Sequence, residues 1–276
     1  MITWIPLIIV GAFVLLTVYL FLGQRRLMFA PTREIAGTPA DIGLACRDVF
    51  LDTEDGLKIN AWYLRSTPDS NTVVPRKTVL FFHGNAGNMS HRLTTMEFLV
   101  GLGVDVLMID YRGYGRSEGS PGEDGLYADA VAAYDWLTAE HAVAAEDIVV
   151  FGRSLGGAVA VELALRRPCS GVIVESAFTS MTDMGRKLFP YVPIRILLRH
   201  HFETIEKIDR LSCPVLIAHS PDDELVPYEM GRRLYEAAPE PKRFAELSGG
   251  HNELGYFEDP NYRKALKELI DHHFPQ

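Results

Sequence analysis

The chain has 276 residues, 47% hydrophobic and 23% charged, the composition of a globular protein with a sizeable core. Its net charge is −9, and residues 1–24 carry no charged side chain, so the acidic balance belongs to the rest. No nucleic-acid partner is expected from such a surface, because phosphate contacts need basic groups. Cys46, Cys169 and Cys213 are widely spaced, with no C-x-x-C pair and no disulfide framework. No P-loop, dinucleotide fingerprint or metal-ligand spacing appears, so neither a cofactor nor a metal is implied.

Ile2 to Leu22 is nearly all apolar. As a helix this run would measure about 30 Å, the thickness of a bilayer core. It lacks the basic start and small-residue cleavage site of a signal peptide, and a buried core helix is the other competing reading. The expectation is a membrane anchor over residues 1–24, followed by a catalytic domain over 25–276. Arg25, Arg26 and Arg33 flank the span and by the positive-inside rule place that domain on the cytoplasmic side. Leu27 to Thr38 reads as a loop leading away from the membrane.

Asp48 to Asp52 and Leu57 to Leu64 alternate apolar and polar residues around Thr53-Glu54-Asp55-Gly56, the pattern of a hairpin. Residues 66–77 read as a solvated loop. Short apolar runs at 78–82, 104–109, 147–151, 171–175 and 214–218 read as buried strands, with helices over 90–101, 123–139 and 155–166. This β-then-α order predicts an α/β fold with a mostly parallel central sheet covered by helices on both faces. An insertion, 178–211, carries Met181, Met184, Phe189, Leu197 and Leu198, broken by Pro190 and Pro193. It reads either as a partial lid lining an apolar pocket or as a packed helical connection.

Gly152-Arg153-Ser154-Leu155-Gly156 fits G-x-S-x-G between a strand and a helix, the pattern that holds a serine on a sharp, strained turn. A serine hydroxyl needs a base, and the base needs an orienting acid. With such a turn the chain order is Ser, acid, His. Asp222, Asp223 and Glu224 follow a late strand, and any of the three could be the acid. Gly249-Gly250-His251 then lets a flexible loop carry His251 over the sheet edge. His83-Gly84-Asn85 follows an earlier strand, and the backbone N–H groups of Asn85 and Leu155 are the expected oxyanion donors. His272 and His273 read as the end of a terminal helix.

Taken together, five segments resemble the α/β-hydrolase superfamily, above all its membrane-anchored ABHD and Bem-type branch. They are His83 to Asn88, Asp110 to Ser117, Gly152 to Gly156, Glu175 to Ser180 and Gly249 to Asn252. The resemblance implies a serine hydrolase acting on carboxylic esters or thioesters. The family pattern around the acid, laid on His219 to Pro227, puts it at Asp223, with Asp222 as the fallback; Ser220 stands where the pattern has glycine. The expected catalytic set is therefore Ser154, Asp223 and His251, acting on substrates with an apolar acyl group, such as lipids or acylated proteins. A prolyl-oligopeptidase-like serine peptidase shares the fold and triad. A non-catalytic membrane scaffold is the remaining alternative. The sequence leaves the oligomeric state open.

Overall fold

The computed structural model describes residues 4–66 and 76–271. Most of the loop expected over 66–77, together with His272 and His273, lies outside the described residues. The chain begins with helix α1 (Trp4–Met28) and a two-residue strand β1 (Ala30–Pro31), then forms the hairpin β2 (Cys46–Asp52) and β3 (Lys58–Leu64). There follow β4 (Thr78–Phe82), the two-residue β5 (Ala86–Gly87), α2 (Leu93–Gly101), β6 (Asp105–Ile109) and α3 (Glu123–Ala139). Next come β7 (Ile148–Arg153), α4 (Leu155–Arg166), β8 (Gly171–Glu175), α5 (Met181–Leu188) and α6 (Ile194–Leu197). The chain closes with β9 (Val215–His219), α7 (Tyr228–Ala237), β10 (Lys242–Glu246) and α8 (Pro260–Ile270).

Eight strands form one sheet in the order β10-β9-β8-β7-β4-β6-β3-β2. From β10 to β6 every neighbour is parallel; β3 and β2 add an antiparallel edge. The central strands are apolar on both sides because both sides are covered. Leu80, Val150 and Ile217 face one core, which takes in Leu137 of α3, Val159 of α4 and Leu234 of α7. Phe81, Phe151 and Leu216 face the other, with Leu99 of α2 and Leu266 of α8. The parallel arrangement puts the carboxyl ends of β4, β7 and β9 at one edge, where a site belongs in sheets of this kind.

One expectation and one competing reading need correction. Leu27 to Thr38 is not a loop leading away: α1 runs on to Met28, and β1 pairs in parallel with β5, Ala30 opposite Ala86. Phe29 is buried against the rings of His200 and Phe202, and Arg33 donates to the carbonyls of Gly115 and Ser117, which draws the segment back onto the domain. Arg33 is thus committed within the protein, whereas Arg25 and Arg26 are exposed in the last turn of α1. The reading of the apolar run as a buried core helix also fails. In α1 an 18-residue window has a mean hydropathy of 2.7 and is 0% buried.

Candidate active site

Ser154 sits between β7 and α4 with φ 53° and ψ −118°, a left-handed conformation that costs a non-glycine residue about 1–3 kcal/mol. Its neighbours enforce it. The Ser154 N–H donates to the Glu175 carbonyl at 2.8 Å, and its own carbonyl accepts from Gly157 at 2.9 Å. A Cβ on Gly152 would lie 2.0 Å from the Gly156 carbonyl oxygen, and one on Gly156 would lie 2.0 Å from that of Phe82. Glycine at 152 therefore lets the start of α4 fold back on β7, and glycine at 156 lets it pack against the end of β4.

His251 Nε2 is 3.2 Å from Ser154 Oγ, and its Nδ1 is 2.7 Å from Asp223 Oδ2. All three residues are buried. The other Asp223 oxygen accepts the N–H groups of Leu225 (2.9 Å) and Val226 (2.7 Å), which fixes the carboxylate. Burial alone would raise its pKa; the His251 hydrogen bond, the Val226 N–H and the nearby imidazoles outweigh burial and hold it below the usual carboxylate value. Asp222 is exposed, whereas Glu224 accepts the His251 backbone N–H at 2.8 Å. His219 lies 3.5 Å from the same Asp223 oxygen, and burial pushes its pKa down. Its Nε2–H donates to the Val226 carbonyl at 2.9 Å.

Behind His251 lies a brace that sequence reasoning missed. Arg153 donates to the His251 carbonyl at 2.5 Å and pairs with Glu175 at 3.2 Å. Glu175 also accepts from Tyr256 at 2.7 Å and from Tyr262. Arg153 and Glu175 are register partners on β7 and β8, so the signal was an opposite-charge pair closing two otherwise apolar strands. A buried pair of this kind tolerates no loss of one partner, since the other charge would be stranded.

The loop after β4 crosses in front of the serine: a Cβ on Gly84 would lie 3.4 Å from that of Ser154. The Asn85 side chain is occupied elsewhere, donating to the Met28 carbonyl (2.6 Å) and accepting from the Ala30 N–H and the Tyr114 hydroxyl. Its backbone N–H is thus the group to consider at the site. Asn85, Leu155 and Ser154 share one cavity of about 290 Å³. One wall comes from the 178–211 insertion, including Met181, Met184 and Leu198, and the other from Leu20, Gln24, Leu27 and Met28 of α1. Among the described residues, no charged side chain lines it. Gln24 ties the walls together: its Nε2 donates to the Leu197 carbonyl at 2.8 Å, and its Oε1 accepts the Arg199 N–H at 2.6 Å. Nothing in the sequence but a lone amide at the end of an apolar helix marked this residue. The insertion, read two ways from sequence, does line the pocket.

A family model described as serine aminopeptidase, S33, matches residues 74–202. An uncharacterized protein of Mycobacterium tuberculosis is 39% identical over 252 residues, covering 90% of this chain and 88% of that one. The alpha/beta hydrolase domain-containing protein WAV2 of Arabidopsis thaliana is 33% identical, with 92% and 89% covered. The chain belongs to the α/β-hydrolase superfamily. Among this superfamily's solved structures, the esterase Pf2001 of Pyrococcus furiosus superposes with a TM-score of 0.71 at 20% identity, over 89% of this chain and 100% of that one. Est1E of Butyrivibrio proteoclasticus, with ferulic acid bound, gives 0.65 at 22% identity, over 82% and 98%. At such identities these two structures speak for the α/β-hydrolase fold alone.

Proposed function

We propose that this protein is a membrane-anchored serine hydrolase that cleaves carboxylic esters or thioesters of apolar acyl groups. The observation that carries the reading is the 3.2 Å approach of His251 Nε2 to Ser154 Oγ beside a cavity that, among the described residues, has an uncharged lining. In this reading His251 takes the hydroxyl proton as Ser154 Oγ attacks the acyl carbonyl. The N–H groups of Asn85 and Leu155 receive the developing oxyanion. The imidazolium, held by the Asp223 carboxylate, then gives the proton to the leaving alcohol or thiol as the tetrahedral intermediate collapses. Water repeats the sequence on the acyl-enzyme, releasing the acid and restoring Ser154.

The description of the matching family model favours a second reading, an aminopeptidase. Such an enzyme must pair the substrate's ammonium group, and among the described residues none that lines the cavity is a carboxylate. The first reading is therefore preferred. The anchor is argued from α1 itself: a signal peptide is removed, whereas α1 supplies a wall of the cavity and bonds to the insertion. Arg25 and Arg26, exposed at its end, favour a cytoplasmic domain.

The test is a series of nitrophenyl esters and matched thioesters and anilides, assayed on the detergent-solubilised full chain. The proposal expects kcat/KM to rise with acyl length beyond acetate and little anilide turnover. Preference for aminoacyl anilides over every ester would overturn it in favour of the peptidase.

A further inference from the structure

Beside the cavity, the insertion carries a surface that the chemistry at Ser154 does not use. Tyr191 is 91% exposed and Ile196 82%, and neither lines the cavity. The same segment carries exposed Arg186, Lys187, Arg195 and Arg199. Residues 184–202 contain no Asp or Glu, in a chain whose net charge is −9. Asp183 lies just outside that stretch and approaches Arg186 at 3.7 Å. Exposed apolar side chains in a segment of exposed cations, on an otherwise acidic protein, match one partner chemistry: acyl chains beneath anionic headgroups.

The position of this surface is set by α1. Arg199 lies 4.9 Å over the ring of Phe21, and Gln24 bonds to the backbone at both Leu197 and Arg199. These contacts hold the insertion beside residues 20–24, where the apolar run of α1 ends and the first arginines begin. A spanning helix has its interface with water at that level. Leu20 lines the cavity, so the cavity reaches the same level.

Building on the acyl-substrate reading above, we propose that the segment bearing Tyr191, Ile196 and these arginines and lysine docks on an anionic lipid bilayer. The acyl group then passes between α1 and the insertion to Ser154 directly from the membrane, without crossing water. The occupant is the bilayer in which α1 is already embedded. Continuity with that helix and the complementary charge both favour it over a protein partner.

The test uses the full chain in nanodiscs of phosphatidylcholine, with or without phosphatidylglycerol. It compares a long-chain fluorogenic ester held in the bilayer with water-soluble nitrophenyl acetate. Tyr191→Asp combined with Ile196→Asp should lower kcat/KM on the bilayer ester by about tenfold or more and leave acetate within about twofold. Arg186→Glu with Arg195→Glu should abolish any gain from phosphatidylglycerol. Equal turnover of the bilayer ester by wild type and both double variants would overturn the docking. So would a bilayer activity that rises with the square of protein concentration, which would assign the face to a second copy. Wild type that fails on the long-chain ester in both detergent and nanodiscs would instead sink the acyl-substrate reading.

Discussion

Asp222 and Asp223 stand side by side in one loop, and only their surroundings separate them. Asp223 is buried, holds two backbone N–H groups and touches His251; Asp222 is exposed. Asp223→Asn should keep the fold and lower kcat by about 10⁴-fold, because an amide offers the imidazole the wrong hydrogen-bond partner. Asp222→Asn should leave kcat close to wild type, and steady-state kinetics of the two variants would settle the assignment. The pH dependence of stability has a definite sign. The folded pKa of Asp223 lies below its unfolded value of about 3.9. Its stabilisation is present above that value and is lost as pH falls through the folded pKa. Denaturant midpoints should therefore show the gap between wild type and Asp223→Asn narrowing below about pH 4. At this scale Ser154 and His251 were legible, because their glycine-flanked patterns follow from steric need. The Arg153–Glu175 brace was not, since it joins residues 22 apart whose pairing exists only once β7 and β8 lie in register.

The elements that sequence periodicity identified were those buried on both faces or clearly alternating. Helix α4 and strand β8 fall where the residue pattern put them, at Leu155–Arg166 and Gly171–Glu175. Strand β10 was missed because Lys242-Arg243-Phe244-Ala245-Glu246 is charged at three of five positions, as suits the edge of a sheet. The path of residues 27–38 was missed for a different reason. Short pairings such as β1 with β5 are set by tertiary contact, not by local propensity. The link from α1 to the insertion rests on Gln24. Gln24→Leu leaves the helix apolar but strands the Leu197 carbonyl and the Arg199 N–H, costing about 1–3 kcal/mol for each group that water does not reach. Limited trypsinolysis should then cut after Arg186 or Lys187 faster than in wild type. An unchanged cleavage rate would mean that the insertion is held without that amide.

Across the whole molecule, one edge of a parallel sheet gathers four loops, after β4, β7, β9 and β10, and an apolar helix with the 178–211 insertion walls the cavity beside them. The hydrolase core was readable because its motifs are local and its strands are buried. The role of α1 was not, because an apolar run says nothing of what its last turn touches. The most direct measurement on the central claim is labelling with a serine-reactive fluorophosphonate, comparing the full chain with Ser154→Ala. Labelling in wild type that vanishes in Ser154→Ala is the predicted result. Absence of labelling in folded wild type, or labelling that survives the substitution, would contradict an activated nucleophile at Ser154.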